Sequence, residues 1–191
     1  MRRFLDSLLG RSRPAPPTIE RLFAISTAQI SLETQLNLKA DDHAGIVFRP
    51  VDSSYFEQAT KDLDELLKIS TNDTGTTFTT MTDEYRFKWI VLDDPQPEDL
   101  VATIHVISQT LIENLFGEQL LASVFRYNTA ANEPLYWFYN YKRGTFYPFA
   151  PLPNGQKRDN ALELRVSSAM EHELPVEKEL ERWYPMWDIP F

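Results

Sequence analysis

Apolar residues recur along the chain with the spacing of an α-helix in four stretches. The first three stretches predict helices over 18–38, 53–69 and 98–116. A fourth helix is predicted to begin after Asp159, whose side chain suits the N-cap position. Pro175 ends that helix and also suits the first turn of a last short helix that would carry Trp183.

Alternating and β-branched or aromatic runs predict five strands between these helices. The predicted strands cover 45–48, 76–81, 85–92, 120–127 and 135–142. Asp41, Asp42 and Gly45 indicate a turn before the first strand, and Asp83 with Glu84 indicates a hairpin between the second and third. The last strand is apolar on both faces, which predicts that it is covered on both sides.

The order of these elements predicts one α+β domain. Helices come first, followed by a strand, a helix, a hairpin, a helix, a hairpin and further helices. Such an order is typical of a mainly antiparallel sheet with helices packed on it. A length of 191 residues agrees with a single domain, for which we predict the boundaries 18–191.

The N-terminus differs from the rest of the chain because it is basic. Residues 1–13 are predicted to form a short amphipathic helix, and residues 14–17 a Pro-rich spacer. We see two interpretations: the helix contacts an anionic membrane surface, or it docks on its own domain or on a second subunit. Asp6 and the arginines that follow argue against a secretory signal peptide. The candidate membrane-contact residues are Arg2, Arg3, Phe4, Leu5, Leu8 and Leu9.

Charge and cysteine content exclude several classes of function. The formal net charge of −9 argues against general nucleic-acid binding, because phosphates would be repelled. The absence of Cys excludes disulfide frameworks, thiol catalysis and Cys-rich zinc sites, and it suits a cytoplasmic protein. No run of 18 apolar residues is present that would span a membrane.

No motif of a known catalytic or cofactor site is present in the sequence. There is no Gly-x-Ser-x-Gly elbow and no Gly-rich phosphate loop. The histidines His43, His105 and His172 do not lie at ligand spacing, and the acidic cluster beside His43 is more typical of a solvated turn than of a metal site. We therefore predict a protein without enzymatic activity and without a cofactor.

Two segments combine features of an interaction surface. The run 141–149 is basic and aromatic, and with Arg158 it offers a fork of two arginines for a carboxylate or phosphate. The alternative is a buried aromatic cluster whose cations pair with the surplus acids. The aromatic residues at 183–187 either form an exposed patch or pack back on the core. The candidate interaction residues are Lys142, Arg143, Phe146, Tyr147, Arg158, Trp183 and Trp187.

Seven segments, in order along nearly the whole chain, together resemble the PspA-associated protein PspAB family of bacteria and archaea. They are FLDSLLGR at 4–11, RLFA at 21–24, GIVFRP at 45–50, the run 141–151, RDNALEL at 158–164, LPVE at 174–177 and RWYPMW at 182–187. The resemblance implies an accessory protein of the phage-shock, or envelope-stress, system. It implies association with PspA, a membrane-remodelling coiled-coil protein, and for some members with an HtpX-like membrane protease. It implies no catalytic residues.

Three hypotheses follow for the function. The first is a non-enzymatic cytoplasmic adaptor that binds a PspA-like protein or an HtpX-like protease, with peripheral contact at the inner membrane face. The second is a secretion-chaperone-like α+β binding module, which rests on fold analogy alone. The third, and weakest, is an enzyme on small anionic substrates that uses Arg143 and Arg158, since no nucleophile–base pair is visible.

Overall fold

Four α-helices and six strands make up the part of the chain that the structure describes. The structure is a computed structural model that describes residues 17–153 and 155–191, apart from the side chains of 70–73. The helices are α1 (Ala24–Leu36), α2 (Ser54–Thr74), α3 (Pro97–Glu113) and α4 (Asn160–Met170). The strands are β1 (Lys39–Phe48), β2 (Thr77–Thr82), β3 (Lys88–Asp93), β4 (Leu120–Asn128), β5 (Pro134–Asn140) and β6 (Thr145–Phe149).

The strands form one antiparallel sheet in the order β2-β3-β1-β4-β5-β6. Successive side chains of a strand point to opposite faces, so the sheet separates two apolar clusters. The larger cluster lies between the sheet and all four helices and contains, for example, Ile46 and Trp137. The smaller one contains Val47 and Phe138 and is covered by the C-terminal residues. The prediction of a single α+β domain with an antiparallel sheet is confirmed, as is the burial of β5 on both faces.

The predicted turn at Asp41–Gly45 is wrong, because these residues belong to β1. β1 bulges against β4 there: Ala40 pairs with Tyr127, whereas Ala44 already pairs with Phe125. A bulge accommodates extra residues within a ladder and leaves their side chains free for other bonds. The polar residues that indicated a turn in the sequence therefore mark an irregular stretch of a long strand.

The predicted last helix after Pro175 is also wrong. This segment is extended and pairs with the outer edge of β6: the Phe146 N–H donates to the Pro175 carbonyl (2.9 Å), and the Glu177 N–H donates to the Phe146 carbonyl (2.7 Å). Only Leu180–Arg182 forms a 3₁₀ turn. An edge strand offers unpaired backbone groups, and pairing with them satisfies more hydrogen bonds than one isolated helical turn would.

Other boundaries differ from the predictions for local reasons. β3 begins three residues later than predicted because Asp83 accepts a hydrogen bond from the Phe87 N–H (2.8 Å), which widens the hairpin turn. Arg86 in this turn has a positive φ of 67°. The N-cap role of Asp159 is confirmed, since it accepts a hydrogen bond from the Leu162 N–H (2.9 Å). The predicted helix over 1–13 lies outside the described residues.

Candidate functional site

Arg143, in the turn between β5 and β6, is bound by acidic side chains of the C-terminal segment. Its Nε lies 2.8 Å from Glu177 Oε2, and its Nη2 lies 3.3 Å from Glu179 Oε1. Thr145 donates a further hydrogen bond to Glu177 (3.1 Å). Burial opposes the ionisation of Glu177, but hydrogen bonds from Arg143, the Glu179 N–H and Thr145 outweigh it, so the pKa of this carboxyl is lowered.

Arg158 lies at a second, separate site, next to the C-terminal segment. Its Nε lies 2.8 Å from Glu163 Oε2, its Nη1 donates to the Trp183 carbonyl (2.8 Å), and its guanidinium lies 5.2 Å from the centre of the Phe149 ring. Glu163 is only 1% exposed and also accepts from the Ala150 N–H (2.8 Å). Burial raises the pKa of the Glu163 carboxyl in spite of these donors.

The two arginines of the candidate fork are thus engaged by two different glutamates. The Arg143–Glu177 pair connects the strand–helix body to the C-terminal segment. The Arg158–Glu163 pair lies within the body, and Arg158 contacts the C-terminal segment through its hydrogen bond to the Trp183 carbonyl. These pairings correspond to the alternative in which basic side chains pair with surplus acids. Of the remaining candidate interaction residues, Lys142 is exposed and Trp187 is half-buried. Phe146, Tyr147 and Trp183 are buried.

The C-terminal residues pack on the outer face of the sheet, which is the face opposite the helices. The Phe191 ring packs edge-on against Trp89. The carbonyl of Phe191 accepts a hydrogen bond from the Tyr136 hydroxyl (3.0 Å). Trp187 packs edge-on against Phe149, at 5.1 Å between ring centres. Tyr184 differs from them, because its side chain is 59% exposed. The tail therefore covers the outer face and presents a new surface of its own.

A groove lies between the β2–β3 turn and this tail, and we call it the hairpin–tail groove. Its volume is about 560 Å³. The hairpin wall consists of Met81, Asp83, Glu84, Tyr85, Phe87 and Trp89, and the tail wall of Pro185, Met186, Trp187, Asp188 and Pro190. Sequence reasoning missed this groove, since it joins two segments about a hundred residues apart. The one local signal was an aromatic residue, Tyr85, next to a turn.

A second, smaller cleft of about 290 Å³ lies beside the groove at the same end of the sheet, and we call it the sheet-end cleft. Its lining includes Pro17, Leu121, Lys142, Tyr184 and Met186, and Met186 also lines the groove. Lys142 and Tyr184 are the exposed members of this set. The basic-aromatic segment and the aromatic tail, which the sequence offers as separate candidates, meet here.

Two buried serines belong to a structural network around Tyr141. The Tyr141 hydroxyl lies within hydrogen-bond distance of Ser108 and Ser123 (2.6 Å to Ser123 Oγ), and burial raises the pKa of Tyr141 to about 12. Both serines thus have a phenol as partner and no imidazole that would act as a base. No group of three potential metal ligands occurs among the residues described.

The bulge in β1 is held by an ionic network around Asp41. Asp41 lies 2.6 Å from His43 Nδ1, accepts from Asn128 (2.6 Å) and lies 3.4 Å from Arg126 Nε. Burial opposes the ionisation of Asp41, but these hydrogen bonds and the Arg126 charge lower its pKa overall. Asp41, the partly buried acid of the cluster considered as a metal site, is therefore already bonded to the protein's own side chains.

Comparisons with known proteins identify the family but add no relative. No helix among the described residues has the length and apolar character that crossing a membrane requires. Searches of curated proteins and of solved structures found no significant match. One family model matches residues 2–191, nearly the whole chain, and is described as PspA associated protein B. The chain therefore belongs to the PspAB family.

Proposed function

We propose that this protein is a non-enzymatic accessory protein of the PspA envelope-stress response that acts by binding a PspA-like protein. The observation that carries the proposal is the family match over residues 2–191, whose description names association with PspA. The geometry supports a binding role. The arginines that could have formed an anion site are tied to Glu163 and Glu177, and the buried serines bond to a tyrosine.

The sheet-end cleft is the surface that we propose for the partner. Tyr184 is a large, mostly exposed aromatic side chain, and its backbone is held in place by a hydrogen bond from the Tyr147 hydroxyl to the Tyr184 carbonyl (3.2 Å). Aromatic side chains held rigidly at a surface dominate the energy of many interfaces. Lys142 beside it supplies a positive charge next to the apolar floor of Leu121 and Met186.

Binding to the purified PspA-like protein encoded by the same genome tests this proposal. The double variant Tyr184→Ala/Lys142→Glu should bind about tenfold or more weakly than the wild type, since one interface hot spot is worth at least that much. Tyr55→Ala/Lys61→Glu is the matched control. It makes the same two replacements at exposed positions of α2, on the other side of the sheet, and should bind like the wild type.

Three results would contradict the proposal. Failure of the wild type to bind the PspA-like protein even after crosslinking would remove the function itself. Capture of an HtpX-like membrane protease from a lysate in place of the PspA-like protein would assign the other partner. Equal weakening by the control variant would leave the function standing but would remove the sheet-end cleft as its surface.

Contact with the inner membrane face through residues 1–13 is the remaining part of the proposal. Their apolar residues and flanking arginines favour an anionic surface, and we expect a segment this short to bind lipid weakly and reversibly. Flotation with anionic vesicles is the measurement. Flotation of the full-length chain that disappears with Arg2→Glu/Arg3→Glu supports the contact, and no flotation of the wild type contradicts it.

A further inference from the structure

We infer that the chain's own N-terminal segment, residues 2–9, docks in the hairpin–tail groove of the same molecule, with residues 10–16 as its tether. The inference is independent of the proposed partner. Three observations support this occupant. They are the apolar and acidic residues of the groove, the apolar and basic residues of the segment, and the point at which the described chain begins.

The walls of the groove leave apolar side chains uncovered. Tyr85 is 68% exposed and Met81 is 42% exposed, while Trp187 on the opposite wall is only half-buried. An opening of about 560 Å³ between such side chains can take up several apolar groups. Removing them from water together provides the driving force for docking.

The rim of the groove is acidic. Asp83, Glu84 and Asp188 all line it, and none of them forms an ion pair with any Lys or Arg in the part of the chain that the structure describes. Asp83 already accepts hydrogen bonds from the Phe87 N–H (2.8 Å) and from Trp89 Nε1 (3.1 Å). Glu84 accepts a hydrogen bond from the Tyr85 side chain, but neither Glu84 nor Asp188 has a basic partner among the described residues, so both remain available to a basic ligand.

The N-terminal segment has the complementary pattern. Phe4, Leu5, Leu8 and Leu9 are spaced so that they would share one face of a two-turn helix. Four arginines, Arg2, Arg3, Arg11 and Arg13, flank this apolar stripe on both sides, against the single acid Asp6. An apolar stripe between basic ends matches an apolar floor between acidic rims, and the charges also fix the register of docking.

The described chain begins at the end of the sheet where the groove opens. Thr18 donates its N–H to the Tyr141 carbonyl (2.9 Å), and Pro17 lines the sheet-end cleft, which shares Met186 with the groove. Phe48 pairs with both Lys88 and Leu120, so the β2–β3 turn and the start of β4 lie at the same end of the sheet.

The distance to be bridged is short. Neighbouring strands lie about 4.8 Å apart, so three intervals, from β5 across β4 and β1 to β3, amount to roughly 15 Å. Residues 10–16 can span roughly 23 Å when extended, which is enough to carry the apolar stripe to the groove. A tether of this length also gives the segment an effective concentration of about 1 mM at the groove, well above that of most competing peptides.

Docking would make the apolar stripe unavailable to lipid. The same four side chains cannot face the groove and a membrane at once, so the groove would hold the segment back until a membrane or a partner draws it away. In this arrangement the acidic body and the basic N-terminus attract each other within one molecule.

The absence of Cys allows a direct test in the full-length chain. A nitroxide attached to Ser7→Cys should broaden the amide signals of 81–89 and 186–189 in the NMR spectrum, with loss of most of their intensity. Glu84→Lys/Asp188→Lys should restore those signals. Glu57→Lys/Glu133→Lys is the matched control, because it changes the net charge equally at exposed positions outside the groove and should leave the broadening unchanged.

Several outcomes would overturn the inference. Absent broadening in the wild type removes it, and so does broadening that survives reversal of the rim charges. Broadening that appears when nitroxide-labelled chains are mixed with separate isotope-labelled chains would assign the groove to a second copy instead. None of these results bears on binding of the PspA-like protein, which is measured separately.

Discussion

Glu163 and Glu177 determine what the two candidate arginines do. Each glutamate is buried and lies 2.8 Å from one guanidinium. Arg143 is tied to the C-terminal segment through Glu177, whereas Arg158, which Glu163 of α4 holds in place, contacts that segment through the Trp183 carbonyl. The chain has 28 acidic residues, and nothing in local sequence tells which of them meets a given arginine. The arginines themselves were visible in the sequence, but their pairing was not.

At the residue scale, we predict an acid-dependent effect of Glu177→Gln. The pKa of Glu177 is lowered in the folded state, so its stabilising effect is present above the ordinary carboxyl pKa and is lost as the pH falls through the folded pKa. The variant should have a lower urea midpoint than the wild type at pH 7, and the difference should shrink below the ordinary value of 4.5. Glu173→Gln, at an exposed position, is the control and should differ little at any pH. A pH-independent difference would contradict the ion pair.

At the scale of elements, the outer edge of β6 binds the C-terminal segment and so fixes where that segment begins. Its Pro148 is compatible with an edge strand, and residues 175–177 complete the pairing on the outer side. The chain then crosses the outer face and ends with Phe191 over β1, where Gly45 leaves room for the ring. A Cβ at Gly45 would lie 2.7 Å from Phe191 Cε1.

A double-mutant cycle tests this contact between β1 and the tail. Gly45→Ala should destabilise the protein by about 1–3 kcal/mol, because a methyl group there overpacks against the Phe191 ring. In the Phe191→Ala background the same change should cost clearly less, as measured by urea unfolding. Phe23→Ala, at the start of α1 and remote from Gly45, is the control. When it replaces Phe191→Ala in the cycle, the free-energy costs of the two changes should add. Additivity with Phe191→Ala would mean that the tail does not rest on Gly45.

For the whole molecule, the sheet has two faces that are covered by different means. The helices cover one face with a large cluster, whereas the other face depends on a tail of irregular structure. Without the tail, the uncovered cluster would include aromatic residues such as Trp89, Phe138 and Phe149. A surface of that kind favours association between molecules.

Removal of residues 184–191 should therefore leave the helical layer folded but expose the outer face. We expect the shortened chain to bind a hydrophobic dye more strongly than the full-length chain does. We also expect its apparent mass to rise more steeply with protein concentration. Dye fluorescence and light scattering after size exclusion are the measurements, with circular dichroism to confirm that the helices remain. Unchanged dye binding and unchanged mass would show that the tail is not the cover of this face.

Predictions from the sequence were confirmed where the spacing of apolar residues within one helix or strand is enough to decide its structure. The helices that carry Phe56 and Ile104 follow the apolar spacing of the sequence, and the Asp159 cap lies at the predicted position. They failed where a distant segment supplies the partner. The sequence indicated a turn at Asp41, but Asn128 and Arg126 of β4 bind its carboxylate within a strand. The sequence predicted a helix after Pro175, but this segment pairs with Phe146 of β6 instead.

The sequence by itself determined the α+β class, the order of the four helices and of five of the six strands, the basic N-terminus in an acidic chain, and the family. These properties depend on composition, on short-range periodicity and on motifs that stay in order along the chain. Only the tertiary structure decided that the arginines pair with buried glutamates, that the tail covers the outer face, and that a groove opens between the hairpin and the tail. The physical reason is that these features arise from contacts between segments far apart in sequence, and local spacing carries no information about which segments meet.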